Sequence, residues 1–315
     1  MTPAGRDGVL LMTYGSPASL DRADVGAYLA RVRGGREPDP TLVDEFTRRY
    51  RLIGGSPLID ITRRQAAALE EILGNPVEIG MRFSKPTIET GLRSLDRRGA
   101  TRIVAVVLSP QHSKLLMGGY RRAIDEASRA IGSPAPEVDV AGAWHLQPAF
   151  LEALAARIRS ARALMGGGEI PVLMTAHSLP RRVAEDEPGY IDQLLETARA
   201  VADRAGLGPD AWRFCWQSAG HEPGAWMTPD FADLMPQLAG AGHRAVLVAP
   251  VQFLADHLEI LYDVDVGARE QAEEAGLRFA RIESLNTDPG LIEALAEVVR
   301  GVRASADAGG RIAMR

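Results

Sequence analysis

The sequence predicts an α/β protein of two Rossmann-like halves, each a doubly wound parallel sheet, with a cleft between them. Three observations support that class. Short apolar runs alternate with longer stretches of helical periodicity along the whole chain, which is the pattern of parallel strands covered by helices on both faces. The 315 residues exceed one typical domain and fit two of about 150. The apolar fraction of 46% is enough to fill a core in each half.

The first half, residues 1–147, opens on an apolar strand at Val9–Thr13. Helices are expected at Asp21–Arg33 and Pro40–Arg51. A third runs from Pro57 to Leu73, because Leu58, Ile61, Ala68, Leu69 and Ile72 recur at helical spacing. Val77–Met81 and Ile103–Leu108 are short strands rich in branched residues. Tyr120–Ile131 reads as a helix stopped by Gly132, and Val138–Ala141 as the next strand.

The second half, residues 148–315, repeats the rhythm. A helix at Pro148–Leu164 is followed by the linker Gly166-Gly-Gly168 and the strand Pro171–Ala176. Next come a helix at Gly189–Ala205, a strand at Trp212–Gln217, a helix at Phe231–Ala239 and a strand at Ala245–Pro250. One long helix, Asp256–Ala275, leads to the strand Leu277–Ile282. Leu291–Val302 forms the last helix, and Ser305–Arg315 a frayed tail.

Two polar residues stand just past the carboxyl ends of apolar strands. His177 follows Pro171–Ala176, and Glu259 follows Ala245–Pro250 after a short loop. Open parallel sheets place ligands at strand carboxyl ends. One imidazole and one carboxylate are too few for a closed structural metal site. They suit a site that holds a metal loosely, removes protons and releases the metal.

Composition narrows the remaining choices. The single cysteine, Cys215, excludes an internal disulfide and any cluster held by four cysteines of this chain. A formal net charge of −5 argues against a nucleic-acid partner. No apolar stretch approaches the roughly 20 residues of a membrane helix. The start Met1-Thr-Pro-Ala-Gly-Arg-Asp7 lacks a signal-peptide core, so a cytoplasmic location is expected. The turn Tyr14-Gly-Ser-Pro17 lacks the glycines and lysine of a phosphate loop.

Several motifs resemble those of the ferrochelatases. Thr175-Ala-His-Ser-Leu-Pro180 and Asp256-His-Leu-Glu-Ile-Leu-Tyr-Asp263 match the two active-site signatures of that family. Leu10-Leu-Met-Thr-Tyr-Gly-Ser-Pro17, Arg49-Tyr-Arg-Leu-Ile-Gly-Gly-Ser-Pro-Leu58 and Trp216-Gln-Ser218 follow the family pattern in order and spacing. The resemblance runs from about Gly8 to about Val299 and implies a tetrapyrrole cleft between the halves. It implies ferrous iron as a substrate, no permanent cofactor and no iron–sulfur cluster. It also implies a monomer that meets the next enzyme of heme synthesis only transiently.

Metal insertion requires two pyrrole N–H protons to leave, the ion to shed solvent and the ring to distort toward it. A neutral imidazole can accept a proton or bind a metal near pH 7, and a carboxylate can hold a cation and pass protons outward. His177 and Glu259 would share one face of the macrocycle, with their order of action open. Asp256, Glu259 and Asp263, at i, i+3 and i+7, would share a helix face. That face reads either as an acidic track for metal or as a solvated surface. Gly267 stands where the family often has a further acid, which weakens the case for an outer metal site.

The resemblance also distinguishes subtypes. Tyr14 resembles the coproporphyrin ferrochelatases, where protoporphyrin enzymes commonly have leucine. Coproporphyrin III carries four propionates and needs more donors, and guanidinium groups pair with carboxylates bidentately. By motif position, Arg33, Arg49, Tyr50, Ser56 and Tyr120 match propionate-binding residues. The Gly-Gly-Ser-Pro turn is one residue shorter than usual, which bears on Ser56. Arg33 and Arg49 would equally serve as positive charges at helix ends. The rivals are a protoporphyrin ferrochelatase, a sirohydrochlorin-type cobalt chelatase and a porphyrin carrier without catalysis.

The other histidines carry less. His112 follows a strand, whereas His145, His221 and His243 fall in loops and are expected in solvent. His257 is read as a positioning residue that points away from Glu259, since residues two apart on a helix diverge. Trp216 and Trp226 are assigned to packing.

Overall fold

A computed structural model describes residues 6–220 and 225–313 of the chain. The extreme N-terminus, where no leader is expected, and His221 lie outside the described residues. The fold comprises two compact units, Met1–Trp144 with Asn286–Arg315, and His145–Leu285.

The first unit runs β1 (Arg6–Thr13), α1 (Arg22–Val32), α2 (Pro40–Leu52), α3 (Leu58–Leu73) and β2 (Val77–Met81), then α4 (Ile88–Arg97), β3 (Ala100–Val107), α5 (Lys114–Ile131) and β4 (Glu137–Val140). Its four strands are all parallel, in the order β2-β1-β3-β4. Val9, Leu10, Leu11 and Met12 have no exposed surface, as expected for a central parallel strand covered on both faces.

Helix α4 falls in a stretch for which the sequence predicts no element. Ile88, Gly91, Leu92 and Leu95 are buried at i, i+3, i+4 and i+7, and Thr87 caps the start by accepting from Thr90 N–H. The helix lies close on the sheet because glycines face the contact. A Cβ on Gly91 would stand 2.6 Å from both the Ile79 carbonyl oxygen and Leu10 Cδ1. Gly91→Ala therefore forces helix and strand apart. We expect a net loss of about 1 kcal/mol or more, because the clash outweighs the helix preference of alanine. Urea denaturation checks this, and unchanged stability would contradict it. Helix α5 also starts earlier than Tyr120, because Ser113 accepts from Leu116 N–H and nucleates the helix six residues upstream.

The second unit runs α6 (Pro148–Leu164), β5 (Val172–His177), α7 (Arg181–Asp186), α8 (Pro188–Ala205), β6 (Trp212–Gln217), α9 (Phe231–Gly240), β7 (Ala245–Pro250), α10 (Leu258–Leu261), a π-helical turn at Asp263–Ala268, α11 (Arg269–Glu274) and β8 (Arg278–Arg281). Its strands are also all parallel, in the order β6-β5-β7-β8. The expected single helix Asp256–Ala275 is thus three pieces. Asp256 and His257 precede it, so Asp256, Glu259 and Asp263 do not form one helix face.

The last helix, α12 (Pro289–Ala313), corrects the expected division at residue 148. Its buried face of Leu291, Leu295 and Val299 packs on α3 and β3. Arg303 on α12 pairs with Asp7, and Asp307 with Arg102. The apolar stripe of α12 thus covers the first sheet. The expected frayed tail continues as helix to Ala313. Among the described residues no helix is long and apolar enough to cross a membrane.

Candidate active site

A doubly wound sheet opens a crevice at strand carboxyl ends where the chain order reverses. In the second unit that point lies between β5 and β7, since β5 is flanked by β6 and β7. His177 is the last residue of β5. Its backbone N–H donates to Gln252 Oε1 at 2.7 Å, and Gln252 in turn donates to the buried Tyr190 hydroxyl. The imidazole Nδ1 lies 2.5 Å from the Ser178 carbonyl oxygen. A carbonyl only accepts, so Nδ1 carries the hydrogen and the neutral ring presents the Nε2 lone pair.

That Nε2 lies 3.7 Å from Glu259 Oε1, and His257 Nε2 lies 3.5 Å from Glu259 Oε2. Both are ion-pair rather than hydrogen-bond distances. The carboxylate therefore stands between two imidazoles, which corrects the expectation that His257 points away. His257 is the cap preceding α10, in extended conformation at φ −160° and ψ −173°, so helical spacing does not apply to it. Its Nδ1 is tied to the Ala255 carbonyl at 2.9 Å, which turns Nε2 toward Glu259. Gln217 Nε2 donates to the Glu259 backbone carbonyl at 3.2 Å and anchors the helix start to β6.

Electrostatics follow from this placement. Burial acts to raise the Glu259 pKa, but the neighbouring His177 imidazole and the contact with His257 outweigh it and hold the carboxyl down to about 2. Burial acts to lower the His257 pKa, and Glu259 outweighs it, leaving that imidazole above its ordinary value. The His177 and Glu259 side chains are 33% and 36% exposed, so an ion can reach them from solvent. Among the described residues no set of three or more His, Cys, Asp or Glu side chains converges as a metal cage. The pair can hold an ion loosely and accept a proton beside it.

In the first unit the reversal falls between β1 and β3. Tyr14 follows β1, is 39% exposed and meets Phe83 edge-on with ring centroids 4.7 Å apart. Arg82, at the end of β2, lays its guanidinium over the Phe83 and Tyr120 rings at 4.7 and 5.4 Å. A Cβ on Gly119 would stand 1.9 Å from Arg82 Nη2, so a larger residue there would displace that guanidinium. Sequence reasoning missed Arg82. The paired Gly118-Gly119 inside α5 is the signal that marks a close approach there.

The other expected substrate contacts divide. Arg33 caps the C-terminus of α1, and its Nε is buried without a hydrogen-bond partner. Arg49 sits in the last turn of α2, where Glu45 accepts from its Nε at 2.7 Å and Phe46 lies beneath it. Ser56 Oγ accepts from Leu58 N–H at 3.4 Å. Tyr50 and Tyr120, expected on the substrate side, are only 4% and 3% exposed; their rings complete the core, and burial pushes the Tyr120 phenol pKa up. His145 is buried as well, with Nε2 2.9 Å from Glu196, rather than in solvent. Trp216 is buried beside Tyr190 and Leu194, as the packing assignment expects.

A family model described as ferrochelatase matches residues 6–302. The chain is 39% identical over 308 residues to a ferrochelatase of Deinococcus radiodurans, covering 93% of this chain and 94% of that one. It is 37% identical over 304 residues to a coproporphyrin III ferrochelatase of Geobacillus kaustophilus, with 93% and 94% covered. Among solved structures, the sirohydrochlorin chelatase SirB from Bacillus subtilis subspecies spizizenii in complex with cobalt superposes with a TM-score of 0.59 at 13% identity, covering 96% and 97%. At that identity the likeness shows the two-domain fold alone.

Proposed function

The chain belongs to the ferrochelatase family, a family of metal chelatases, and we propose that it inserts ferrous iron into coproporphyrin III in preference to protoporphyrin IX. In this reading the His177 Nε2 lone pair accepts the pyrrole protons. Glu259, an anion between two imidazoles, receives the incoming iron and passes protons outward. Iron is a substrate here, and the single cysteine leaves no means of building a four-cysteine cluster from this chain.

The observation that carries the choice of porphyrin is Tyr14, a phenol exposed at the turn after β1 where protoporphyrin enzymes commonly place leucine. Arg33 and Arg49 support it as cations for two extra propionates. Glu45 fixes the direction of the Arg49 guanidinium by holding Nε. Arg82 adds a guanidinium beside Tyr120 and Phe83.

Arg49→Ala tests the propionate assignment. A charge-assisted hydrogen bond contributes about 1.5–3 kcal/mol before solvent exposure discounts it. Losing one such contact raises KM for coproporphyrin III about tenfold, with kcat little changed, as expected for binding shared by ground and transition states. The effect on protoporphyrin IX should be smaller, since vinyl groups replace two of the propionates. Equal effects on both porphyrins, or none, would remove Arg49 from substrate binding.

A further inference from the structure

The segment carrying His257 and Glu259 is irregular. It leaves β7, bends at Ala255, forms only Leu258–Leu261 as α-helix and passes into a π-helical turn. Such a stretch holds its shape only if the surroundings over-determine it. One side chain from outside touches both of its ends. Arg281, the last residue of β8, is bidentate with Asp265 in the π turn, Nε to Oδ1 at 2.7 Å and Nη2 to Oδ2 at 2.8 Å. The same Nη2 lies 3.5 Å from Asp256 Oδ1. Ser284 closes the figure, accepting from Arg281 Nη1 at 3.2 Å and donating to Asp256 Oδ1 at 2.7 Å.

We propose that Arg281 is a positioning residue for metal insertion, holding the 256–265 segment so that Glu259 meets His177 at working distance. It touches neither reacting group and acts through the two aspartates. Asp256 sets where the chain enters His257, and Asp265 sets where it leaves α10. The guanidinium side chain is only 13% exposed, and a planar fork with fixed donor directions transmits geometry in a way a lysine ammonium does not. Asp256 is thus engaged in this clamp, which accounts for an acid at that position without a metal track.

The inference rests on the reading that Glu259 acts in insertion, so Glu259→Gln is measured in parallel. With ferrous iron and coproporphyrin III, Arg281→Ala should lower kcat by about ten- to a hundredfold, the scale of a displaced catalytic group. Porphyrin affinity from fluorescence quenching should stay near parental, and Arg281→Lys should recover only part of the rate. In a Glu259→Gln background, Arg281→Ala should cost little more, because its effect passes through Glu259. Parental kcat in folded Arg281→Ala, or the same fold loss in both backgrounds, would overturn the proposal. Normal turnover by Glu259→Gln alone would instead sink the underlying reading. If Arg281→Ala does not fold, Ser284→Ala removes only the bridging hydroxyl and should lower kcat about threefold; an unchanged kcat would then overturn it.

Discussion

His177→Ala should abolish iron insertion while coproporphyrin III still binds. The imidazole is held in one orientation: Nδ1 is committed to the Ser178 carbonyl, and Nε2 faces Glu259 across 3.7 Å. Removing it deletes the lone pair proposed above to take the pyrrole protons. General-base contributions of this kind amount to about 10²–10⁴-fold in rate, so the loss should fall at or above that range. The fold should survive, because the contact that fixes the strand end is the His177 backbone N–H to Gln252, which alanine keeps. Fluorescence titration reports porphyrin binding, and absorbance at the product band reports insertion. Near-normal turnover by the folded variant would remove His177 from the mechanism.

Glu259→Gln should be nearly as severe, by a different route. The amide preserves shape and can still meet His257, so α10 should form. What disappears is the negative charge, which two flanking imidazoles otherwise keep on the carboxylate far below neutral pH. A neutral amide neither attracts ferrous iron comparably nor carries protons away. We expect at least about a hundredfold loss in kcat/KM for iron, equivalent to about 2.7 kcal/mol, with porphyrin affinity little changed. A rate within a few-fold of the parent would make the carboxylate structural.

Much of this arrangement is legible in the sequence because burial on both faces makes central strands continuous apolar runs. β1, β5 and β7 announce themselves this way, and each places a polar residue or loop at its carboxyl end. His177 and Glu259 stand out for that reason. Helix α4 was readable in principle from Ile88, Gly91, Leu92 and Leu95, although the Ser84-Lys-Pro86 turn before it looks like loop. The break in Asp256–Ala275 was not readable. Its periodicity suits a continuous helix, and it is interrupted by a π turn in which Asp265 pairs with Arg281, sixteen residues further on. The helix also begins only at Leu258, which leaves His257 in extended conformation facing Glu259, outside the helical spacing rule. The destination of α12 was equally hidden, because an amphipathic stripe states that a helix must pack, not on which sheet. The burial of Tyr50 and Tyr120 was hidden too, since motif position alone does not say which side of a residue faces the core.

The most direct test of the account compares two porphyrins at the unmodified enzyme. Initial rates of ferrous iron insertion are measured anaerobically with coproporphyrin III and with protoporphyrin IX over matched concentrations. If Arg33 and Arg49 each hold a propionate that protoporphyrin lacks, kcat/KM should favour coproporphyrin III by about tenfold or more. A higher kcat/KM for protoporphyrin IX would contradict the coproporphyrin assignment and leave Tyr14 no marker of porphyrin choice.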